Sequence, residues 1–501
     1  MPCFISRAFF FCKKKMKKAI VIGAGFGGIA SAIRLIKKGY KVELVDRCNN
    51  LGGRAQFFNI KGFKYDAGPT IITAPFLFEE LFSIHNKKLE DYITLKPLDV
   101  WYRFIYNDGT YFDYEKSIEK TILNMKEISE DDANNYQNLL ESSKKIYDLA
   151  FTKLAHQPFH NLSTMIKQIP FLLKFRSYEN VYKFTSRYLK NEKLRRAFSI
   201  QPLLVGGNPF ETTCIYSLIH YLERAHGVYF AMGGTGNLVK ALSKLMKEIG
   251  IKITLNTTIN KFVLKNKKIY SVIDQKGNER KADIFISNLD PLHLYKKIIS
   301  KNNSLSLKYK KKYAKHSMGL FVLFFGTKKK FKDIKHHSII FGKEYFELLE
   351  KIFKKNELPK DISIYLHRPT ATDSSFAPKG CDSFYALVPV PNLESKSILW
   401  EKEANNFKNH IVKVLEKKLM PGLKKEIVQE FYMTPLDFKN NYLSDEGAGF
   451  SLAPFFTQSA WFRFHNKSEV LDNLFLVGAG THPGAGVPGV LSSARVLESL
   501  L

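Results

Sequence analysis

Cysteine is scarce: five residues in 501 (Cys3, Cys12, Cys48, Cys214 and Cys381), with no C-x-x-C pair and no metal-ligand spacing. That pattern excludes a disulfide-stapled scaffold and fits free thiols in a reducing compartment. Any redox chemistry must then come from a cofactor. Long apolar runs are missing too. None reaches the roughly 20 residues that a spanning helix needs, and candidates such as 319–326 are strand-sized. Acidic residues are few, 47 against 77 Lys and Arg, for a formal charge of +30. The lysines are spread along the chain (308–315, 328–335, 351–360) without aromatic interleaving or a recognition motif, so nucleic acid is not an expected partner. Solvated faces account for part of the charge. Its functional reading is attraction to an anionic bilayer surface, where each basic residue contributes about 1 kcal/mol. No internal repeat, long low-complexity linker, Ser-His-Asp constellation or metal site is visible.

The chain is long enough for two or three domains with a large core, and 45% hydrophobic content with 14% aromatic residues is globular. Residues 1–15 superficially resemble a signal peptide around Phe9-Phe10-Phe11. Arg7 interrupts that core, Lys13-Lys14-Lys15 follows it, and no small-residue cleavage site precedes the first strand. Met16 is read as the true start, with 1–15 a mis-assigned or disordered extension.

Residues 19–54 carry the strongest signal. Ala19 to Ile22 reads as a buried parallel strand, followed by Gly23-Ala24-Gly25-Phe26-Gly27-Gly28, a G-x-G-x-x-G turn. Ile29, Ile33 and Ile36 follow at helical spacing, the helix stops at Gly39, and a second strand from Val42 to Val45 ends on Asp46. Gly23 makes the tight turn, Gly25 lets a pyrophosphate approach, and Gly28 lets helix and strand pack closely. The helix N-terminus favours the phosphates, and Asp46 is placed to accept from an adenosine ribose. Leu51-Gly52-Gly53-Arg54 and Asp66-Ala67-Gly68-Pro69-Thr70 come next. Such a continuation suits a flavin better than a nicotinamide, because Arg54 offers a planar fork for phosphate or flavin carbonyl oxygens. At the far end a strand over 473–477 leads into Gly478-Ala479-Gly480-Thr481-His482-Pro483-Gly484-Ala485-Gly486-Val487-Pro488-Gly489 and a closing helix. So many glycines before a helix start imply close backbone approach to a ligand.

With these segments in view, the chain from Lys17 to its end resembles the bacterial-type phytoene desaturases, carotenoid-modifying members of the flavin amine oxidase superfamily. The resemblance also covers 203–210, Gly233-Gly234-Thr235-Gly236, His336-His337, Tyr365-Leu366-His367 with Thr372-Asp373-Ser374-Ser375, and Thr457 to Arg463. The runs 481–489 and 458–463 are the most specific; Asp46 stands where the family usually has glutamate. The resemblance implies FAD as cofactor, held through Gly23, Gly25, Gly28, Asp46, Gly53, Arg54, Gly68, Pro69, Thr70, Gly478, Gly480, Gly486, Val487 and Pro488. It further implies a long polyene substrate entering an apolar tunnel from the membrane, successive dehydrogenation of phytoene toward a carotene such as lycopene, and quinone or oxygen as electron acceptor. A peripheral position on the cytoplasmic face of a membrane follows. Alternatives are a C30 desaturase, an isomerase or ketolase, an oxidase of amines or porphyrinogens, and a non-enzymatic prenyl-lipid carrier on the same fold.

The expected fold is α/β. A discontinuous Rossmann-like FAD domain (17–90, 227–300, 471–501) would carry an inserted α+β substrate domain (91–226, 301–470) with a mixed sheet and a helical, membrane-facing part. Within the insertion, 159–188 mixes Met165, Ile166, Ile169, Phe171, Leu172, Leu173 and Phe175 with Lys167, Lys174, Arg176 and Lys183. An amphipathic helix of that kind lies in a bilayer interface or packs on its own core. Strand-like runs at 321–325, 363–366 and 384–388 suggest an antiparallel pocket wall. His336, His337, His367, Asp373 and His482 are candidates for a proton acceptor, but none is assigned.

Overall fold

Ala19 to Ile22 is apolar on both faces, as a central parallel strand must be when helices cover both sides of its sheet. In the computed structural model, which describes residues 16–299 and 304–501, this run forms the strand Lys18–Ile22. It lies between Ile284–Ser287 and Lys41–Val45. Leu474–Leu476 and Lys252–Thr254 complete a five-stranded parallel sheet in the order 474–476, 284–287, 18–22, 41–45, 252–254. The extension 1–15, with Cys3 and Cys12, lies outside the described residues.

Helix Phe26–Lys37 starts inside the glycine motif, and helix Val487–Leu500 packs beside it. Ile29, Ile33, Leu491, Ala494 and Leu497 are fully buried in one core. The two ends of the chain therefore close one layer of a doubly wound unit. All five strands fall within 17–90, 227–300 and 471–501.

The second sheet has seven strands in the order 427–433, 319–327, 382–390, 364–367, 337–340, 100–105, 111–115. The three strands expected for a pocket wall are present, with Gly319–Thr327 and Ile364–His367 both antiparallel to Asp382–Val390. The sheet is mixed rather than antiparallel throughout, because Ser338 to Ile340 run parallel to Arg103 to Ile105. Strands Val100–Ile105 and Tyr111–Glu115 are invisible to period-two patterning. Both faces of the former are covered, so Trp101, Tyr102, Phe104 and Ile105 are all buried and no alternation survives.

The segment 159–188 is not one helix. It folds as short helices Leu162–Ile166, Ile169–Lys174 and Val181–Thr185, with Pro170 in the first turn of the second. Proline lacks the N–H that a continuous helix would need there. Helix Ile169–Lys174 buries none of its residues. Leu162, Ile166, Ile169, Phe171 and Leu173 are exposed, each between 44% and 62%. No helix among the described residues is long and apolar enough to cross a membrane.

Candidate functional site

A parallel sheet delivers its strand ends to one edge, and ligands of open α/β folds sit outside that edge. Here Ile22, Gly23, Val45, Asp46 and Asn288, at the carboxyl ends of three adjacent strands, line a cavity of about 560 Å³. Gly25, Gly53, Arg54, Gly68, Pro69, Thr70, Gly480, Gly486, Val487 and Pro488 also form its wall. Segments far apart in sequence are thus brought to one space, which faces the N-termini of helices Phe26–Lys37 and Val487–Leu500. Free N–H groups at both ends create a positive rim suited to anionic groups.

Gly28 and Gly478, expected among the cofactor contacts, are not on the cavity lining. A Cβ on Gly28 would lie 1.9 Å from the Gly23 carbonyl oxygen, and one on Gly478 2.3 Å from Asn288 Nδ2. Both glycines permit chain-on-chain packing behind the wall. Gly23 has φ +98°, the turn geometry that a side chain disfavours.

The polar groups of this corner are arranged for a dinucleotide. Asp46 is held by backbone N–H groups, from Ala24 at 2.5 Å and Cys48 at 2.7 Å. Each carboxylate oxygen keeps capacity for a further donor. Arg54 donates from Nη2 to Ser444 Oγ at 2.8 Å, while its Nε is buried with no partner among the described residues. Burial lowers its pKa, opposed by the charge of Asp290. A guanidinium on the cavity wall fits a ligand that supplies an acceptor.

Ser444 Oγ donates in turn to the Ala448 carbonyl at 2.5 Å, and the next residue, Asp445, ties to His316 (Nε2 to Oδ2 2.9 Å) and to Lys296 (2.5 Å). Burial alone would lower the His316 pKa, but hydrogen bonds to Asp445 and Glu394 carry it up to about 9. At neutral pH it is a cation between two carboxylates.

The conserved-looking motifs outside the cavity prove to be supports. Thr235 Oγ1 donates to the Pro69 carbonyl at 2.5 Å and Gly236 N–H to Asp66 at 3.2 Å, so the Gly233 to Gly236 run holds 66–70 in place. Arg463, 1% exposed, donates to the Ala479 carbonyl at 2.6 Å and clamps the glycine-rich loop. Asp373 accepts N–H groups from Gly233 (2.8 Å) and Ser375 (3.0 Å), a capping role rather than a proton-accepting one.

His336, His337 and His367 converge although their spacing carries no metal pattern. One nitrogen from each lies within 4.8 Å of the others. His336 Nε2 and His367 Nε2 are 3.1 Å apart, His336 Nδ1 is 2.6 Å from Thr372 Oγ1, and His337 Nδ1 is 2.7 Å from Tyr365 Oη. Burial holds all three well below the usual imidazole range, so they are neutral. Tyr365 continues to Thr70 at 2.9 Å, which links this cluster to the cavity wall. His482 lines the cavity, but burial pushes it down to about 3 and its Nε2 faces the Leu154 carbonyl at 3.3 Å.

Beyond the dinucleotide corner the same cavity continues between apolar side chains. The mixed sheet contributes Leu320, Val322, Leu387 and Pro389, alternate residues on one face of their strands. Phe159, Met165 and Leu172 form the opposite side.

The profile of the family described as "Flavin containing amine oxidoreductase" matches residues 26–496. The chain belongs to that family. Among curated relatives it is 40% identical over 487 residues to the "Phytoene desaturase (lycopene-forming)" of Pantoea ananas, covering 97% of this chain and 99% of that protein. It is 38% identical over 492 residues to the "Phytoene desaturase (neurosporene-forming)" of Rhodobacter capsulatus, covering 97% and 94%. Among solved structures an oxidoreductase from Methanosarcina mazei superposes with TM-score 0.63 at 18% identity, over 96% of this chain and 100% of that one. That likeness shows the fold. Family membership agrees with the Arg54 guanidinium on the cavity wall and the two helix N-termini, both of which fit a flavin dinucleotide.

Residues that sequence reasoning missed include Asn288, Tyr385 and Glu223, all on the cavity wall. Glu223 sits on helix Leu218–His226, where Leu218, Ile219 and Leu222 share its cavity-facing side. Nothing in its own segment distinguishes it from a surface glutamate.

Proposed function

We propose that this chain is an FAD-dependent carotenoid desaturase that converts phytoene by successive dehydrogenations to a more conjugated carotene such as lycopene. The observation that carries this assignment is the continuity of the cavity: a dinucleotide corner around Gly23, Asp46 and Arg54 runs directly into a hydrocarbon-lined stretch. The two relatives above, full-length matches whose names specify phytoene, support the substrate class.

FAD, when bound, supplies the hydride acceptor that no amino-acid side chain provides. Gly23 and Gly25 let its pyrophosphate reach the N-terminus of helix Phe26–Lys37, and Asp46 accepts from the ribose. Gly53, Arg54 and 68–70, with Gly480, Gly486, Val487 and Pro488, line the same cavity and would hold the rest of the cofactor. Leu320, Val322 and Leu387 orient the polyene and keep water from the carbon that loses hydrogen. Expression in a host that accumulates phytoene is expected to give a coloured, more conjugated carotene in extracted pigment. Colourless phytoene alone, beside protein loaded with flavin, would defeat the substrate assignment and leave the fold untouched.

We further assign the protein to the cytoplasmic face of an anionic membrane, bound peripherally, with quinone or oxygen as final electron acceptor. Phytoene is insoluble in water and must be drawn from a bilayer. Supporting this, Met165 and Leu172 line the cavity while Leu162, Ile166, Phe171 and Leu173 beside them are exposed, and exposed Lys167, Lys174 and Arg176 surround them. The double variant Ile166→Glu/Leu173→Glu removes two side chains worth about 1.5–3 kcal/mol each on burial. It is expected to bind anionic liposomes at least about 100-fold more weakly in a co-sedimentation assay, while still turning over phytoene presented in detergent. Pelleting equal to the parent protein would refute this docking face.

A further inference from the structure

Desaturation of a C–C bond removes two hydrogens as a hydride and a proton. The hydride leaves one carbon, its electron pair going to the flavin, and leaves an allylic cation on the polyene. A C–H bond on the neighbouring carbon then breaks, its electrons become the new double bond, and its proton needs an acceptor in the cavity.

Among the described residues, the carboxylates on the cavity wall are Asp46, Asp290 and Glu223. Asp46 is occupied by two backbone N–H groups at the dinucleotide end. Asp290 follows the strand Ile284–Ser287, caps Leu292 N–H at 2.9 Å and faces Arg54. Glu223 alone sits beside the apolar stretch, 1% exposed and flanked on its helix by Leu222 and Ile219. Its Oε1 accepts from Tyr102 Oη at 2.7 Å, and its Oε2 takes no hydrogen bond from any described residue. His482, the cavity's histidine, is held against the Leu154 carbonyl.

Building on the desaturase assignment, we propose that Glu223 is the catalytic residue that accepts this proton, through Oε2, with Tyr102 fixing the carboxylate. A fixed negative charge beside the polyene also stabilises the developing cation, an effect strengthened where water is excluded.

The surroundings suit a base working near neutrality. Burial carries Glu223 up to about 7, partly opposed by the Tyr102 hydrogen bond and the Arg224 charge. The other groups around it hold one charge state across that range. Arg224 stays cationic, turned away to the Glu115 carbonyl at 2.6 Å and Tyr136 at 2.9 Å. Tyr102, Tyr114 and Tyr136 are raised by burial and stay neutral, as does His220, pushed down to about 3. Glu223 is the group on the cavity wall that titrates, and its base form grows as pH rises through about 7; Asp66, carried to the same range by burial, lies behind the wall against Gly236 N–H.

The test uses FAD-loaded protein with phytoene in liposomes. Glu223→Gln is expected to lower kcat by about 100-fold or more, in the range for a general base, with KM within about twofold. Parent kcat should rise with pH through about 7, the residual Glu223→Gln activity should be flat, and Glu223→Asp should recover part of the loss. Independently of turnover, infrared difference spectra of the parent should show protonated-carboxyl intensity titrating near pH 7 from both Glu223 and Asp66, of which Glu223→Gln loses the Glu223 part and Asp66→Asn the other. Tyr102→Phe, which removes only the hydrogen bond, should move the pH limb upward while flavin absorption is unchanged. It decides the matter if Glu223→Gln does not fold. A Glu223→Gln kcat within about threefold of parent, or a pH limb unmoved by Tyr102→Phe, overturns the proposal and leaves the desaturase assignment standing. A parent protein that leaves phytoene unchanged overturns both.

Discussion

Replacing Gly28 with alanine is expected to give protein that retains no flavin and unfolds early. The added Cβ would sit 1.9 Å from the Gly23 carbonyl oxygen and 3.1 Å from its carbon, both backbone atoms that cannot rotate aside. Gly23 is itself fixed, its N–H donating to the Val45 carbonyl at 2.8 Å. Relief therefore requires helix Phe26–Lys37 to lift off the strand before it. That motion also parts Gly25 from Gly53, where a Cβ on Gly53 would come within 3.0 Å of Gly25 Cα. Overpacking ordinarily costs about 1–3 kcal/mol, and backbone on both sides puts this case at the top of that range or above. Flavin absorption after reconstitution and the denaturant midpoint measure the two effects. Gly39→Ala is the control: it has φ +83° but no atom within 4 Å of the added carbon. It should lose only the left-handed strain, about 1–2 kcal/mol, and stay yellow. A Gly28→Ala protein as yellow and stable as its parent would contradict the packing described.

Asp382→Ala should fail differently. Asp382 is fully buried and accepts from Arg368 Nε (3.1 Å) and Nη2 (3.3 Å), Thr370 Oγ1 (2.7 Å) and Phe331 N–H (2.7 Å). Removing the carboxylate strands a buried guanidinium, a loss of about 3–5 kcal/mol. The damage falls on strand Asp382–Val390, which carries Tyr385, Leu387 and Pro389 into the cavity, and not on the parallel sheet. Stability and substrate turnover are expected to drop while flavin retention at low temperature persists. The double variant Arg368→Met/Asp382→Leu should recover part of the loss: no charge is left unpaired, but the Phe331 N–H and the Ile334 carbonyl lose their buried partners. Unchanged stability in Asp382→Ala would show that the pair contributes nothing net.

The contrast follows from where each device is encoded. The glycine turn, Asp46 and the 478–489 loop were legible because tight turns and helix starts impose demands on adjacent residues. The discontinuous fold followed from matching such local signals at both ends. The amphipathic character of 159–188 is divided among short helices because Pro170 denies a continuous one its N–H, and the 100–105 strand is hidden because double-sided burial erases alternation. Gly28 and Gly478 meet neighbouring chain closely, and a requirement for no side chain does not say whether chain or ligand fills the space.

The amino-acid order alone pointed to a dinucleotide corner, a flavin over a nicotinamide, and the family. The tertiary structure decided which way the hydrocarbon space runs, that three histidines meet as neutral rings, and that Glu223 is the carboxylate facing that space. The physical reason is range. Backbone geometry is set by neighbours in sequence, whereas desolvation of a carboxylate depends on every segment that packs around it, here Tyr102, Leu222 and Arg224 from two distant parts of the chain.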